Sequence, residues 1–379
     1  MTIMPASRVF HVFAGTRPEV VKLAPVVRAL RVLGANVVMV ATGQQRDPAM
    51  MDQSYRSVGL KPDVTWSLSG GQPAERSGSL YSHALRYIAE TGEPDVMVVQ
   101  GDTTTVPLVA HAARANERCV AHVEAGLRSL NEQSLEESNR KIAAAVASIH
   151  FAPTGLARGF LLSEGIADER IFVVGNTACD ALLSSGVKRH PPEERRGGVV
   201  TAHRATNVDD PGRLLEIISI VSDLVRATGH VVFPLHPRTR DRARTFGLLD
   251  RLSGLPGVQL CDPLPYHAML AEIAKSRIVV TDSGGLQEEA AWYGVPCVVM
   301  RRSTPRWEGI LNGSAALAGV SRERVHELAT EMLSPEAQLR IASIPCPYGR
   351  GDAGERIAAS LTSSVTSELL LLREPDFTD

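Results

Sequence analysis

Aromatic residues make up only 4% of the 379 positions, and positive charge has no excess over negative, with 40 Lys and Arg against 42 Asp and Glu. A chain with neither a basic field nor rings to stack on bases is not built for nucleic acid. Lysine is scarce too: Lys22, Lys61, Lys141, Lys188 and Lys275 are the whole set, so arginine carries nearly all the positive charge. The five cysteines (Cys119, Cys179, Cys261, Cys297 and Cys346) are scattered, odd in number and never spaced Cys-x-x-Cys. That pattern argues against a disulfide framework or a zinc site, and no metal is expected. No apolar run approaches the ~18–20 residues that span a bilayer. Met1–Ser7 leads into the strand-like Val9–Phe13 without a basic segment and cleavage site, so the expectation is a cytoplasmic protein with no membrane partner.

At 379 residues the chain suits two domains of similar size. The sequence centres on Thr281–Ala290. The β-branched run Ile278-Val279-Val280 stops at Thr281-Asp282-Ser283 and passes through Gly284-Gly285 into Leu286-Gln287-Glu288-Glu289-Ala290. This reads as a strand, a tight turn and the first turn of a helix. Glycines let backbone approach a ligand, and free N–H groups at a helix start favour an anion such as phosphate. An ordinary glycine-lined connection has the same local pattern.

The rest of the chain decides between them. Short apolar strands alternate with helical spacing, predicting an α/β fold with parallel sheets covered on both faces. In such sheets ligands sit beyond the carboxyl ends of the strands. Those ends carry Arg17, then Asp102 in Gly101-Asp102-Thr103-Thr104-Thr105, then Glu124, with Glu136 and Glu137 in the approach to a further helix. Taken singly, Asp102 could cap a helix and Glu124 could pair with Arg128. Together, crowded carboxylates raise one another's pKa and supply the protonated and ionised partners of acid/base chemistry. The charged, Pro-rich stretch 186–197 reads as a linker. After it the alternation restarts, with strands ending at His203 and His236 and at Arg301–Arg306. Either histidine could be an ordinary loop residue, or a donor to a phosphate oxygen.

The predicted architecture is two Rossmann-like, doubly wound domains facing across a cleft, residues 1–185 and 198–356. Acids line the first wall. Ser283, Gly284, Gly285, His203 and Arg306 line the second, where a nucleotide diphosphate would rest.

Six blocks carry a resemblance. Gly15-Thr16-Arg17-Pro18-Glu19, Gly101–Thr105, His122-Val123-Glu124-Ala125-Gly126-Leu127-Arg128, Glu136-Glu137-Ser138-Asn139-Arg140, Gly175-Asn176-Thr177 and Thr281–Glu289 stand in the same order as in non-hydrolysing UDP-N-acetylglucosamine 2-epimerases. The chain resembles that family over roughly residues 8–360. The resemblance implies a GT-B fold, a homodimer, no cofactor, and a C-terminal helix, here residues 357–379, packing back on the N-terminal domain. It implies reversible C2 epimerisation of UDP-N-acetylglucosamine by elimination of UDP to 2-acetamidoglucal and re-addition. Asp102, Glu124 and Glu136 are then the acid/base candidates, and His203 assists the departing diphosphate. Arg17, Lys22, Arg140, Ser283, Gly284, Gly285, Glu289 and Arg306 bind the UDP-sugar. The alternatives are a hydrolysing 2-epimerase, releasing UDP and N-acetylmannosamine, a GT-B glycosyltransferase, which the acid-rich wall disfavours, and a non-catalytic nucleotide-sugar binder, in which those acids would be idle.

The departures are as specific as the matches. The family's His-Arg-Arg-Glu-Asn is His203-Arg204-Ala205-Thr206-Asn207 here, its Gln-His pair is Gln44-Gln45, and its His-x-Asn-Pro is His236-Pro237-Arg238-Thr239. These places resemble the family's second, regulatory substrate site. With Ala205 unable to make an arginine's bidentate contact, a vestigial regulatory site is expected at Gln44, Gln45, Ala205 and His236. Leu135 stands where the family has proline, after a shortened loop, and Thr-Glu-Arg-Pro-Glu reads Thr304-Pro305-Arg306-Trp307-Glu308, which leaves a modified UDP-sugar open.

Overall fold

The computed structural model describes residues 8–92 and 95–372. The chain forms two compact units. One runs to Ala181 and resumes at Gly349; the other is Leu182–Tyr348.

In the first unit, β1 (Val9–Ala14), β2 (Asn36–Ala41), β3 (Val64–Thr65), β4 (Val96–Gln100), β5 (Cys119–Val123), β6 (Ile149–Ala152) and β7 (Ile171–Val173) form one sheet in the order β3-β2-β1-β4-β5-β6-β7. Every pairing is parallel. Both faces of such a sheet are covered, so its central strands are apolar throughout. All five residues of β4 and of β5 are buried. Alternate residues serve opposite faces: Val12, Val96 and Val98 join one core, Phe13, Met97 and Val99 the other. The scarcity of aromatics leaves both cores built mainly of Val, Ala, Leu and Ile.

The helix Arg17–Val32 opens with a capping box between Thr16 and Glu19 and buries Val20, Leu23, Val26, Val27 and Leu30. Against it lies the helix Ala353–Thr362, which buries Ile357, Ala358 and Leu361. A fully buried Ile or Leu contributes about 1.5–3 kcal/mol over an exposed one. Approach is close: a Cβ at Gly354 would lie 2.6 Å from Pro25 Cβ. Asp180 accepts from Ala353 N–H (3.1 Å) and Gly354 N–H (2.8 Å), satisfying the start of the returning helix. The apolar C-terminal segment is not one helix. A second helix, Ser364–Leu369, starts where the Ser363 side chain accepts from Thr366 N–H.

In the second unit, β8 (Gly198–Thr201), β9 (Val231–Pro234), β10 (Val258–Cys261), β11 (Ile278–Thr281), β12 (Cys297–Val299) and β13 (Ala315–Leu317) are ordered β10-β9-β8-β11-β12-β13, again all parallel. The charged stretch before β8 is not loose. The buried Arg195 guanidinium donates to His190 O, Gly294 O and Tyr293 O, tying that stretch to the end of the helix Gly284–Tyr293.

Strand order reverses direction between β1 and β4 in the first sheet and between β8 and β11 in the second. Those switch points are where open α/β sheets bind ligands. The turns after these four strands carry Arg17, Asp102, His203 and Ser283.

Candidate active site

In the first unit the polar turns are tied to one another. Glu19 is fully buried and accepts from Gly15 N–H (2.8 Å), Thr16 N–H (2.7 Å), Thr16 Oγ1–H (3.0 Å) and Thr103 Oγ1–H (2.7 Å), joining the turn after β1 to the turn after β4. Burial outweighs these donors and pushes its carboxyl up to about 7. Gly15 has no room for a side chain, since a Cβ there would be 2.3 Å from Thr105 Oγ1 and 2.5 Å from Thr42 Oγ1. Gln44 accepts from the N–H and hydroxyl of Thr105, both at 2.8 Å, so this residue of the expected regulatory site also fastens the same turns. Gln45 donates its backbone N–H to Gly15 O at 2.8 Å, and its side chain donates weakly to Met50 Sδ at 3.5 Å.

Asp102 does not cap the helix Thr105–Ala115, whose N-cap is Thr104. Its carboxylate pairs with Arg140 Nη2 and its carbonyl accepts from Asn139 Nδ2 at 2.8 Å. Arg140 also pairs with Glu137 at 2.8 Å. Glu137 is buried and accepts in addition from Ser129 N–H (2.8 Å), Ser129 Oγ–H (2.9 Å) and Leu130 N–H (3.2 Å). Burial acts to raise its carboxyl, but these donors together hold it below the usual range. Glu137 thus anchors the loop, whereas its neighbour Glu136 is exposed and accepts from Ser134 Oγ–H at 2.6 Å.

Glu124 pairs with Lys22. It is 2.5 Å from Lys22 Nζ and accepts from Gln100 Nε2 at 3.1 Å, while Arg128 forks onto Glu164. Lys22, expected to hold UDP, here neutralises a buried carboxylate. Glu124 has φ 63°, a left-handed conformation unusual for a side chain of its size and of the kind that collects at functional sites. Gly126 permits the same turn: φ is 83°, and a Cβ would meet Ala157 O at 2.3 Å. Arg17 is half-buried at the start of its helix and makes no hydrogen bond or ion pair among the described residues. Beneath this cluster, His122 Nε2 donates to Gly101 O at 2.8 Å. It is in register with His150 on β6. Among the described residues, His122 Nδ1 is buried without a hydrogen-bond partner, and the His150 ring is buried beside it.

In the second unit, Asp282 is fully buried after β11 and reaches across the switch point to the turn after β8. It accepts from His203 N–H and Arg204 N–H (both 2.9 Å) and Asn207 Nδ2 (3.0 Å), and its Oδ1 lies 2.9 Å from His203 Nδ1. Burial pushes its carboxyl up, but the His203 ring and the other donors bring it below the usual range. Ser283 is the N-cap of the helix Gly284–Tyr293, yet its side chain makes no cap bond and no acid occupies the first turn. The start of this helix therefore presents uncapped N–H groups. Arg306 is buried, packs its guanidinium over Gly284 at 3.5 Å from a would-be Cβ, and pairs with Glu288 at 2.9 Å. Glu289 lies one turn on, its Oε1 3.9 Å from a Cβ built at Gly285. The His236 ring stacks obliquely on His203, centroids 5.4 Å apart, and its Nδ1 accepts from Arg238 N–H at 3.2 Å. Burial, then the neighbouring His203, hold His236 below its ordinary value. Ala205 is exposed, and Arg238 is paired with Asp209.

Asp282 and Asn207 are parts of this site that motif reading did not single out, although both lie inside motifs. An acid directly before an uncapped N-cap serine is the signal that marks Asp282. Among the described residues no group of three or more His, Cys, Asp or Glu side chains is placed to hold a metal ion, and no helix is long and apolar enough to cross a membrane.

Two parallel, doubly wound units of seven and six strands, each with its polar groups at the switch point, are the GT-B fold. Within that class, the chain belongs to the UDP-N-acetylglucosamine 2-epimerase family, whose model matches residues 29–362. It is 37% identical to the UDP-N-acetylglucosamine 2-epimerase of Bacillus subtilis, covering 94% of this chain and 96% of that one. The crystal structure of the Methanocaldococcus jannaschii UDP-GlcNAc 2-epimerase in complex with UDP-GlcNAc and UDP superposes with a TM-score of 0.84 at 33% identity, over 93% of this chain and 99% of that one. A Pseudomonas aeruginosa UDP-2,3-diacetamido-2,3-dideoxy-D-glucuronate 2-epimerase is 34% identical over 92% of this chain and 97% of its own.

Proposed function

We propose that the protein reversibly epimerises UDP-N-acetylglucosamine at C2, eliminating UDP to give 2-acetamidoglucal and adding it back. The observation that carries this reading is the pair of carboxylates at the ends of adjacent strands β4 and β5, Asp102 on Arg140 and Glu124 on Lys22. The C2 proton of an N-acetylhexosamine is not next to a carbonyl, so direct abstraction is unfavourable and elimination across C1–C2 is the accessible route. Removing the proton from one face and returning it to the other needs more than one acid/base group. Asp102, Glu124 and Glu136 supply these. Ser283, Gly284, Gly285 and Arg306, with Glu289, Arg17 and Arg140, bind the UDP-sugar, and His203 donates to the departing diphosphate.

The relatives act on more than one UDP-sugar, so the sugar is decided by assay. Incubation with UDP-N-acetylglucosamine in deuterated water, followed by proton NMR, is expected to give UDP-N-acetylmannosamine with deuterium at C2. Free N-acetylmannosamine with UDP would instead make the enzyme a hydrolase. No reaction here, with turnover of a 2,3-diacetamido glucuronate, would move the substrate assignment. The exposed Ala205 and the engagement of Arg238 with Asp209 support a weakened regulatory site. A hyperbolic rate curve is expected, and strong sigmoidicity would contradict it.

A further inference from the structure

The Asp282 carboxylate has more partners than the turn it fastens requires. Its Oδ2 takes the backbone N–H groups of His203 and Arg204 and the Asn207 amide, which is enough to hold the turn after β8. Its Oδ1 takes the His203 N–H a second time, at 3.2 Å, and lies 2.9 Å from His203 Nδ1, a contact with the ring itself. We propose that Asp282 is the positioning residue for His203, fixing the imidazole with Nδ1 protonated so that Nε2 is the atom presented to the diphosphate.

An ionised carboxylate can only accept, so a proton shared across this 2.9 Å contact is carried by Nδ1. Nε2 then has no partner among the described residues, on a ring whose side chain is 37% exposed while Asp282 is fully buried. The same carboxylate immediately precedes Ser283 and the glycines, so one residue sets both the ring and the helix start on which the anion would rest. In the elimination, the C1–O pair passes to the β-phosphate oxygen, the C2 proton passes to an acid/base carboxylate, and a proton carried at Nε2 is donated to that oxygen. Asp282 keeps its charge throughout and compensates the ring's.

The inference rests on the proposed epimerase reading, and the test separates the two. Asp282→Asn, His203→Gln and the double variant are compared for kcat, KM and UDP affinity, and the ring nitrogens of His203 are read by 15N NMR on histidine-labelled protein, assigned by their loss in His203→Gln. Asp282→Asn is expected to lower kcat about 10–100-fold, the usual effect of removing a residue that orients another. UDP affinity stays within about threefold, showing that the unit is folded, and Nδ1 loses its fixed proton. In the His203→Gln background, the second substitution adds no more than about twofold, because residues acting as one unit are not additive. A purely structural Asp282 would give losses that multiply and an unchanged ring, and that result would overturn the proposal. If the wild-type enzyme turns over no UDP-N-acetylglucosamine, the substrate reading fails, and the ring nitrogens in wild type and Asp282→Asn still decide for or against Asp282. Should Asp282→Asn lose UDP binding, Asp282→Glu decides: recovery of both binding and the Nδ1 proton supports the assignment, and binding without that proton refutes it.

Discussion

The two switch points use charge in opposite ways. At the first, each acid is matched by a cation or donors within the same unit: Lys22 for Glu124, Arg140 for Asp102, and four donors for Glu19. At the second, the carboxylate is spent on holding a ring and a turn, and the serine and N–H groups at the helix start are left open. On the proposed reading, acids that exchange protons need partners that hold them in place between turnovers. A surface that receives a dianion needs unsatisfied donors instead. The proposed division of labour between units rests on this difference in who is paired with whom.

The largest effect is expected from Asp102→Asn, which should lower turnover about 10²–10⁴-fold while leaving UDP affinity by calorimetry unchanged. A parallel loss of UDP affinity would end the division. Lys22→Met leaves a buried carboxylate without its cation and should destabilise the fold by about 3–5 kcal/mol in denaturant melts; a change within error would mean that the pair is solvated.

Acid should act mainly through the first unit. Burial holds the His122 ring down to about 4 and His150 down to about 3. These rings are neutral in the fold and charge on unfolding, so their contribution is full above about 6.5 and is lost as pH falls toward those values. Glu19, raised to about 7, opposes them, contributing most below its unfolded value and losing this as pH rises toward 7. Between about 4.5 and 6.5 the two histidines outnumber the one acid by a single proton, giving about 1.4 kcal/mol of stability lost per pH unit of acidification from these three groups. Replacing His150 with Leu should flatten this slope in melts at stepped pH, and an unaltered slope would exonerate the ring. The smallest effect is Ser283→Ala, which should weaken UDP about tenfold, the value of one hydrogen bond to a charged group, with little change in stability because the hydroxyl caps nothing in the free protein.

The parallel sheets and the polar strand ends were legible because β4, β5, β8 and β11 are apolar runs that stop abruptly at polar turns. The short strands were not. β3 has two residues and β13 three, and β6 carries His150 where an apolar residue would be sought. Partners across the sheet were the other blind spot. Spacing left a helix cap open for Asp102 and a pairing with Arg128 open for Glu124, but could not show the partners seen here, Arg140 for Asp102 and, for Glu124 with its left-handed backbone, Lys22 on the helix Arg17–Val32. Nearness in sequence cannot anticipate a contact that the strand order creates. Asp282 was hidden for the same reason, since its partners sit at the end of β8.

The return of the chain at Gly349 also bears on how the protein is made. The second unit is one uninterrupted stretch, Leu182–Tyr348, and has all its strands once that stretch leaves the ribosome. The first unit has all its described strands by Val173, yet it lacks the helix Ala353–Thr362 that covers Arg17–Val32 until the whole second unit has been translated. During synthesis, the half that is begun first is therefore completed after the other, with Val20, Leu23 and Val27 waiting for a partner encoded beyond it.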